Sequence, residues 1–174
     1  HSLANDVKTP FAVMAFLNPE IEVALNKAVG ITALTSQLNK RIEAKNAVQV
    51  IRIDGTFSQL KVRSEPKQKP PYRSLAVVMS EQQVNFELND VKGTMIGFRM
   101  PDYMTGLNVP GYHFHFITED RKRGGHVLNL EMSDGRAKID TLRGFNMELP
   151  DTKLFNDTLL GSDREEELRS VEQN

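Results

Sequence analysis

Tyr112-His113-Phe114-His115-Phe116 is the stretch that says most about the fold, because aromatic rings and imidazoles alternate along it. Side chains alternate between the two faces of a β-strand, so the pattern predicts a strand with both imidazoles on one face. The charged residues 119–123, followed by two glycines, can reverse the chain, and His126 then begins a second strand. The sequence therefore predicts a late β-hairpin that brings three histidines close together.

The three histidines of this hairpin are candidate metal ligands. Only four histidines occur in the chain, and the fourth is His1. Three neutral imidazoles converging on one face suit a tetrahedral Zn²⁺ with an open fourth position, which is the arrangement of catalytic zinc sites. The alternative is that His113 and His115 only decorate a sheet face while His126 caps a turn. The clustering favours a zinc site formed by His113, His115 and His126.

The regions around the hairpin predict an α+β fold (mixed α and β structure) with antiparallel or mixed sheets and a few short helices. Residues 9–17 form a continuous apolar run, which predicts a strand buried on both faces. Residues 20–29, closed by Gly30, predict a short helix. Thr32 to Ala44 predicts an amphipathic helix, because Leu34, Leu38 and Ile42 recur at helical spacing.

The centre and end of the chain predict further strands. Residues 48–53 and 57–63 alternate as strands do, and Asp54-Gly55 between them predicts a turn. Residues 64–72 contain three prolines and predict an extended connection. Further strands are predicted over residues 95–100, 112–118, 126–132 and 137–142, and a short charged helix over residues 162–172.

We expect the chain to divide into two portions at the proline-rich connection. Residues 1–72 would form the remainder of an N-terminal sheet-and-helix portion. Residues 73–174 would form a C-terminal zinc-binding β portion with an active-site tail.

Composition excludes several classes of protein. The 174 residues carry a net charge of -1. Proteins that bind nucleic acid usually have a basic surface, so we expect no nucleic-acid partner. The absence of cysteine excludes a disulfide scaffold and a thiolate metal site. No apolar run approaches the ~18 residues that would span a bilayer, so we expect no membrane partner. The expected location is the cytoplasm, with secretion after removal of a signal peptide left open.

Charged residues outside the hairpin have two interpretations. Arg63 ends a predicted strand and could hold a carboxylate at the site, or it could be a solvated charge at a strand end. Several glutamates, Glu119 among them, are possible acid–base groups, and composition does not choose between them. His113, His115 and Glu119 also match the first motif of the cupin fold, but that pattern expects glycine where His126 stands and a second motif that this chain lacks.

Longer motifs are similar to those of the α-acetolactate decarboxylase family. They include Gly93 to Gly106, Val109 to Phe116 and the Gly124-Gly-His-Val-Leu128 stretch. Thr9 to Ala12, Gly55-Thr-Phe57 running to Arg63, and Gln68 to Tyr72 also resemble the family, so the similarity extends along essentially the whole chain. The family has an N-terminal segment before the position of Thr9, and we therefore expect this chain to correspond to the C-terminal majority of the enzyme.

The resemblance implies a function and a set of site residues. It implies zinc-dependent conversion of 2-acetolactate into acetoin and CO₂, with Zn²⁺ bound by His113, His115 and His126. Arg63 falls on the family's active-site arginine, and Glu172 on its C-terminal glutamate. Members of the family pair their subunits, so the resemblance also implies a homodimer. The alternatives are a metal-binding module without turnover and a cupin-type metalloenzyme.

Overall fold

The computed structural model describes residue 9 and residues 11–158, and within them a six-stranded antiparallel sheet dominates. The elements in chain order are β1 (Ile21–Leu25), β2 (Ala28–Val29), α1 (Ile31–Asn39), β3 (Val48–Ser64), α2 (Leu75–Gln82), β4 (Val84–Met100), a 3-10 turn (Asp102–Met104), β5 (Gly111–Thr118), β6 (Gly124–Leu142) and α3 (Lys153–Asp157). The expected sheet with a few short helices is confirmed. Every recorded strand pairing is antiparallel.

Four strands form a closed cycle of pairings. The strand order is β1-β6-β3-β4-β5, and the start of β6 pairs back onto β5. Phe57 on β3 and Phe116 on β5 meet edge to face in the core, with ring centroids 5.2 Å apart. Because β3 pairs with both β4 and β6, the portions before and after residue 72 share one sheet.

The Asp54-Gly55 turn prediction is wrong, because β3 continues through it without reversing. Gly55 lies opposite Gly93 on β4 and opposite Gly135 on β6, so three glycines form a row across three strands. A Cβ atom on Gly55 would lie 2.8 Å from the carbonyl oxygen of Asp134. Glycine inside a strand marks a bend or a close approach of backbones, and here it lets long strands pass each other closely.

The predicted helix over residues 20–29 is also wrong, since the segment forms β1 and β2. Ile21 and Val23 alternate with polar or small residues and pack against the core, which suits a strand pairing with β6. The predicted amphipathic helix is confirmed in shorter form as α1, with Leu34 and Leu38 buried.

The predicted buried strand over residues 9–17 is not formed. Residues 11–19 of the described chain have no regular secondary structure, and Phe16 is 98% exposed. A strand buried on both faces needs other layers packed over each face, whereas the large apolar side chains of Phe11 and Met14 are exposed here as well. The backbone N–H of Asn18 instead donates to the carboxylate of Asp140 at 2.7 Å.

The remaining predicted strands are present as parts of longer ones. Residues 126–132 and 137–142 belong to a single strand, β6, and residues 95–100 are the end of β4. The helix α2, which lies in the connection between β3 and β4, is not predicted from the sequence. The charged helix predicted over residues 162–172 lies outside the described residues. None of the described helices has the length and apolar character needed to cross a membrane.

Candidate metal centre and its arginine

The hairpin of β5 and β6 positions the three histidines. His113 and His115 are two residues apart on β5, while the intervening Phe114 is buried in the core. His115 lies directly opposite His126 at the start of β6. Directly opposed residues of an antiparallel pair have side chains on the same face, so the three imidazoles meet on the face away from the core.

The ring nitrogens of these histidines are close together. The Nε2 atoms of His113 and His115 are 3.0 Å apart, and Nδ1 of His126 is 3.3 Å from Nε2 of His113. One ligand atom from each residue lies within 4.8 Å of the other two. This cluster could therefore hold a metal ion.

Two glycines allow β6 to approach both of its neighbours just before His126. A Cβ atom on Gly124 would lie 2.3 Å from the carbonyl oxygen of Phe116 on β5. A Cβ atom on Gly125 would lie 2.5 Å from the carbonyl oxygen of Arg63 on β3. Neither position can carry a side chain without moving a strand, so these glycines help to place His126 between β5 and β3.

The start of β5 is fixed by a tyrosine next to His113. Tyr112 donates a hydrogen bond from its hydroxyl to Oδ1 of Asn39, at the end of α1, over 2.8 Å. Its ring stacks on Phe114 at a centroid distance of 5.8 Å. Burial raises the pKa of Tyr112 to about 12, with the nearby Arg99 acting in the opposite direction. The hydroxyl is therefore neutral and serves as an anchor at ordinary pH.

Arg63 lies beside the imidazole cluster. It is the penultimate residue of β3 and is directly opposite His126 in the pairing of β3 with β6. Opposed residues have Cβ atoms about 4.5–5.5 Å apart, and the two side chains share a face. Arg63 is only 3% exposed, which contradicts the alternative of a solvated charge at a strand end.

A glutamine contacts the guanidinium of Arg63. The Nη1 atom of Arg63 donates to Oε1 of Gln83 at 3.3 Å, and Nε2 of Gln83 donates to Oδ1 of Asn85 at 3.0 Å. Gln83 is not among the site residues that the sequence predicts, because the sequence does not predict α2, which ends beside it. The signal available in the sequence was weak, since one polar residue after a short apolar segment indicates no particular contact.

The other predicted site residues have different outcomes. Glu172 lies outside the described residues. Glu119, which the cupin spacing would make a ligand, does not join the histidines among the described residues. Its backbone N–H donates to the carbonyl oxygen of Lys92 instead.

A groove of about 670 Å³ lies elsewhere on the sheet, and none of the histidines lines it. Two of its charged residues pair with each other, since Arg52 donates two hydrogen bonds of 2.9 Å to Asp54. Thr94 donates a third hydrogen bond, of 2.6 Å, to the same carboxylate. The hydrogen bonds from Arg52 lower the pKa of Asp54, and those to Asp54 raise the pKa of Arg52. We place the candidate site at the histidines, because they form the group among the described residues that could hold a metal ion.

The fold and the site together define a protein with a cluster of three histidines that could hold a metal ion, on an antiparallel sheet and beside a buried arginine. The sequence profile of the alpha-acetolactate decarboxylase family matches residues 1–162. The chain belongs to the alpha-acetolactate decarboxylase family.

Individual relatives agree with this assignment. The chain is 41% identical over 172 residues to an alpha-acetolactate decarboxylase of Methanosarcina mazei, covering 99% of this chain and 59% of the relative. It is 42% identical over 153 residues to that of Brevibacillus brevis, covering 88% of this chain and 53% of the relative. The crystal structure of the Bacillus subtilis strain 168 enzyme superposes with a TM-score of 0.85 at 29% identity, covering 91% of this chain and 68% of that one. The chain thus spans between half and two thirds of the length of these two sequence relatives.

Proposed function

We propose that the protein decarboxylates 2-acetolactate to acetoin and CO₂ and that it requires zinc held by His113, His115 and His126. The observation that carries the proposal is the convergence of three imidazoles beside a buried arginine. Family membership supports the substrate, because relatives covering most of this chain are named alpha-acetolactate decarboxylases.

The geometry of the cluster is compatible with a zinc ion. Zn–N bonds of about 2.0–2.1 Å in a tetrahedron separate two ligand nitrogens by about 3.3–3.4 Å. The two separations that involve Nε2 of His113, 3.0 Å to His115 and 3.3 Å to His126, are close to that value. When bound, zinc supplies a Lewis acid that stabilises the negative charge left on the substrate as CO₂ leaves.

The chain's own residues would orient the substrate and move a proton. Arg63 presents a planar guanidinium that can bind the substrate carboxylate through two parallel hydrogen bonds. Its burial strengthens that interaction, because water screens it less. Glu172, assigned by the family resemblance, would supply the proton that completes acetoin.

The subunit arrangement and the location also belong to the proposal. The family resemblance supports a homodimer, which sedimentation equilibrium tests by giving twice the chain mass of 19.6 kDa. The expected location is the cytoplasm.

Metal content measured together with CO₂ release tests the function. We expect one zinc per chain and CO₂ release from racemic 2-acetolactate. His115→Ala should lose the metal and turnover, because it removes one of three ligands. Ile117→Ala is the matched control, since Ile117 is an exposed residue two positions along the same strand.

The results separate the proposal from its alternatives. Stoichiometric zinc without CO₂ release would indicate a metal-binding module without turnover. Iron or manganese as the bound metal would refute the requirement for zinc. Full zinc occupancy in His115→Ala would refute the ligand assignment.

A further inference from the structure

We propose that Gln83 is a positioning residue that holds Arg63 ready for the substrate carboxylate, an inference that rests on the proposed function. Gln83 follows directly after α2, and its backbone N–H donates to the carbonyl oxygen of Met79 at 3.2 Å. Its side chain then extends to Arg63, as described above.

The amide of Gln83 connects two neighbouring strands. Its oxygen accepts from Arg63 on β3, and its nitrogen donates to Asn85 on β4. Asn85 is also the residue directly opposite Arg63 in the pairing of these strands. Because both ends of the amide are engaged, its orientation is fixed, and the carbonyl oxygen faces the guanidinium.

The helix that ends beside Gln83 is itself held in place. Val78 and Met79 of α2 are buried, so this helix does not lie free on the surface. The neighbouring Gln82 accepts a hydrogen bond of 2.9 Å from Nε2 of Gln68, which ties α2 to the preceding connection. Gln83 is therefore placed by its backbone hydrogen bond to α2 on one side and by its contacts with Arg63 and Asn85 on the other.

The type of residue at this position has a chemical consequence. An amide oxygen accepts a hydrogen bond from the guanidinium without adding negative charge. A glutamate at position 83 would instead place a carboxylate beside the guanidinium of Arg63. That carboxylate would attract the guanidinium strongly and would compete with an anionic substrate for it. Glutamine thus restricts the rotamers of Arg63 while leaving it able to bind a carboxylate, so the identity of residue 83 should affect substrate affinity more than the chemical step.

Gln83→Glu and Gln82→Glu form a matched pair that tests this role. Both add one negative charge in an isosteric side chain, at adjacent residues. Gln83 accepts a hydrogen bond from Arg63, whereas Gln82 accepts one from Gln68. Two readouts are used on the zinc-loaded protein: calorimetric binding of 2-hydroxy-2-methylpropanoate, which cannot decarboxylate as the substrate does, and steady-state CO₂ release. Thermal unfolding reports the folding of every variant.

We expect Gln83→Glu to weaken binding of the carboxylate about tenfold and to raise KM by a similar factor, with a smaller change in kcat. Gln82→Glu should stay within twofold of the unaltered protein. Gln83→Met, which removes the acceptor without adding charge, should weaken binding by only a few-fold and covers the case in which Gln83→Glu does not fold.

Two outcomes overturn the inference in distinguishable ways. If the unaltered protein binds the carboxylate but Gln83→Glu and Gln83→Met match Gln82→Glu, Gln83 has no positioning role and the proposed function stands. If the unaltered protein neither binds the carboxylate nor releases CO₂, the proposed function fails, and the role of Gln83 fails with it.

Discussion

Gly125→Ala should destabilise the protein by forcing β6 away from β3 next to the histidine cluster. The new Cβ atom would lie 2.5 Å from the carbonyl oxygen of Arg63 and 3.2 Å from Cβ of Val62. A normal carbon–oxygen contact is about 3.3 Å, so the strands must separate by about 0.8 Å. Gly125 does not have a positive φ, so the penalty arises from contact alone. Overpacking of this kind costs about 1–3 kcal/mol in the free energy of unfolding.

Thermal unfolding and zinc titration measure this effect. For a domain of this size, 1 kcal/mol changes Tm by about 2–4 °C, so we expect Tm to fall by roughly 2–12 °C. Because His126 follows directly, zinc affinity should fall about tenfold as well. Gly144→Ala is the matched control, since a Cβ atom there meets nothing within 4 Å. Equal Tm and equal zinc affinity in the two variants would refute the close-approach argument.

Three further predictions concern charged groups. Arg63→Lys should retain zinc but lose most turnover, because an ammonium cannot bind a carboxylate through two parallel hydrogen bonds; near-normal CO₂ release would remove Arg63 from the mechanism. Glu172→Gln should likewise keep full zinc content while turnover falls by a factor of ~10²–10⁴, and unchanged kcat would show that Glu172 transfers no proton. The hydrogen bonds from Arg52 are the largest cause that lowers the pKa of Asp54. The ionised carboxylate therefore stabilises the folded protein above its ordinary pKa of 3.8, and this stabilisation is lost as pH falls through the lower pKa of the folded state. Asp54→Asn should therefore lower the free energy of unfolding by about 0.5 kcal/mol at pH 6, with a difference that disappears in acid; a difference independent of pH would contradict the ion pair.

The hairpin could be predicted from sequence because its signals are local. The alternation of Tyr112 to Phe116 sets the face of the two imidazoles, and the turn residues bring His126 back beside them. Both features depend on neighbours in the sequence, so no knowledge of the rest of the fold was needed.

The errors concern segments whose structure depends on distant partners. Asp54-Gly55 has the residues of a tight turn, but pairing with β4 and β6 on both sides keeps the strand extended. The local propensity of Ile21 to Leu25 allows either a helix or a strand. The segment forms a strand because it pairs with β6, which lies more than a hundred residues further along the chain. Such pairings cannot be read from a single local window.

The site shows the same division between local and distant signals. The imidazole cluster could be predicted from spacing. Arg63, in contrast, has two interpretations in the sequence, and only its burial contradicts a solvated charge at a strand end. Gln83 was missed because its contact requires the position of α2 relative to β3. A residue that positions another side chain has no characteristic spacing in the sequence, whereas residues that could bind one ion together do.

The placement of the site residues along the chain has a consequence for the order of events during folding. His113 and His126 are 13 positions apart within one hairpin, and hairpins form in about 1–10 μs. Arg63 reaches His126 only when β3 pairs with β6 across a much longer loop, and pairings between distant segments form slowly. In the proposed function, a refolding chain would therefore bind zinc through the hairpin before Arg63 joins the site. Metal supplied during synthesis would then act on the hairpin alone, before Arg63 could bind the substrate carboxylate.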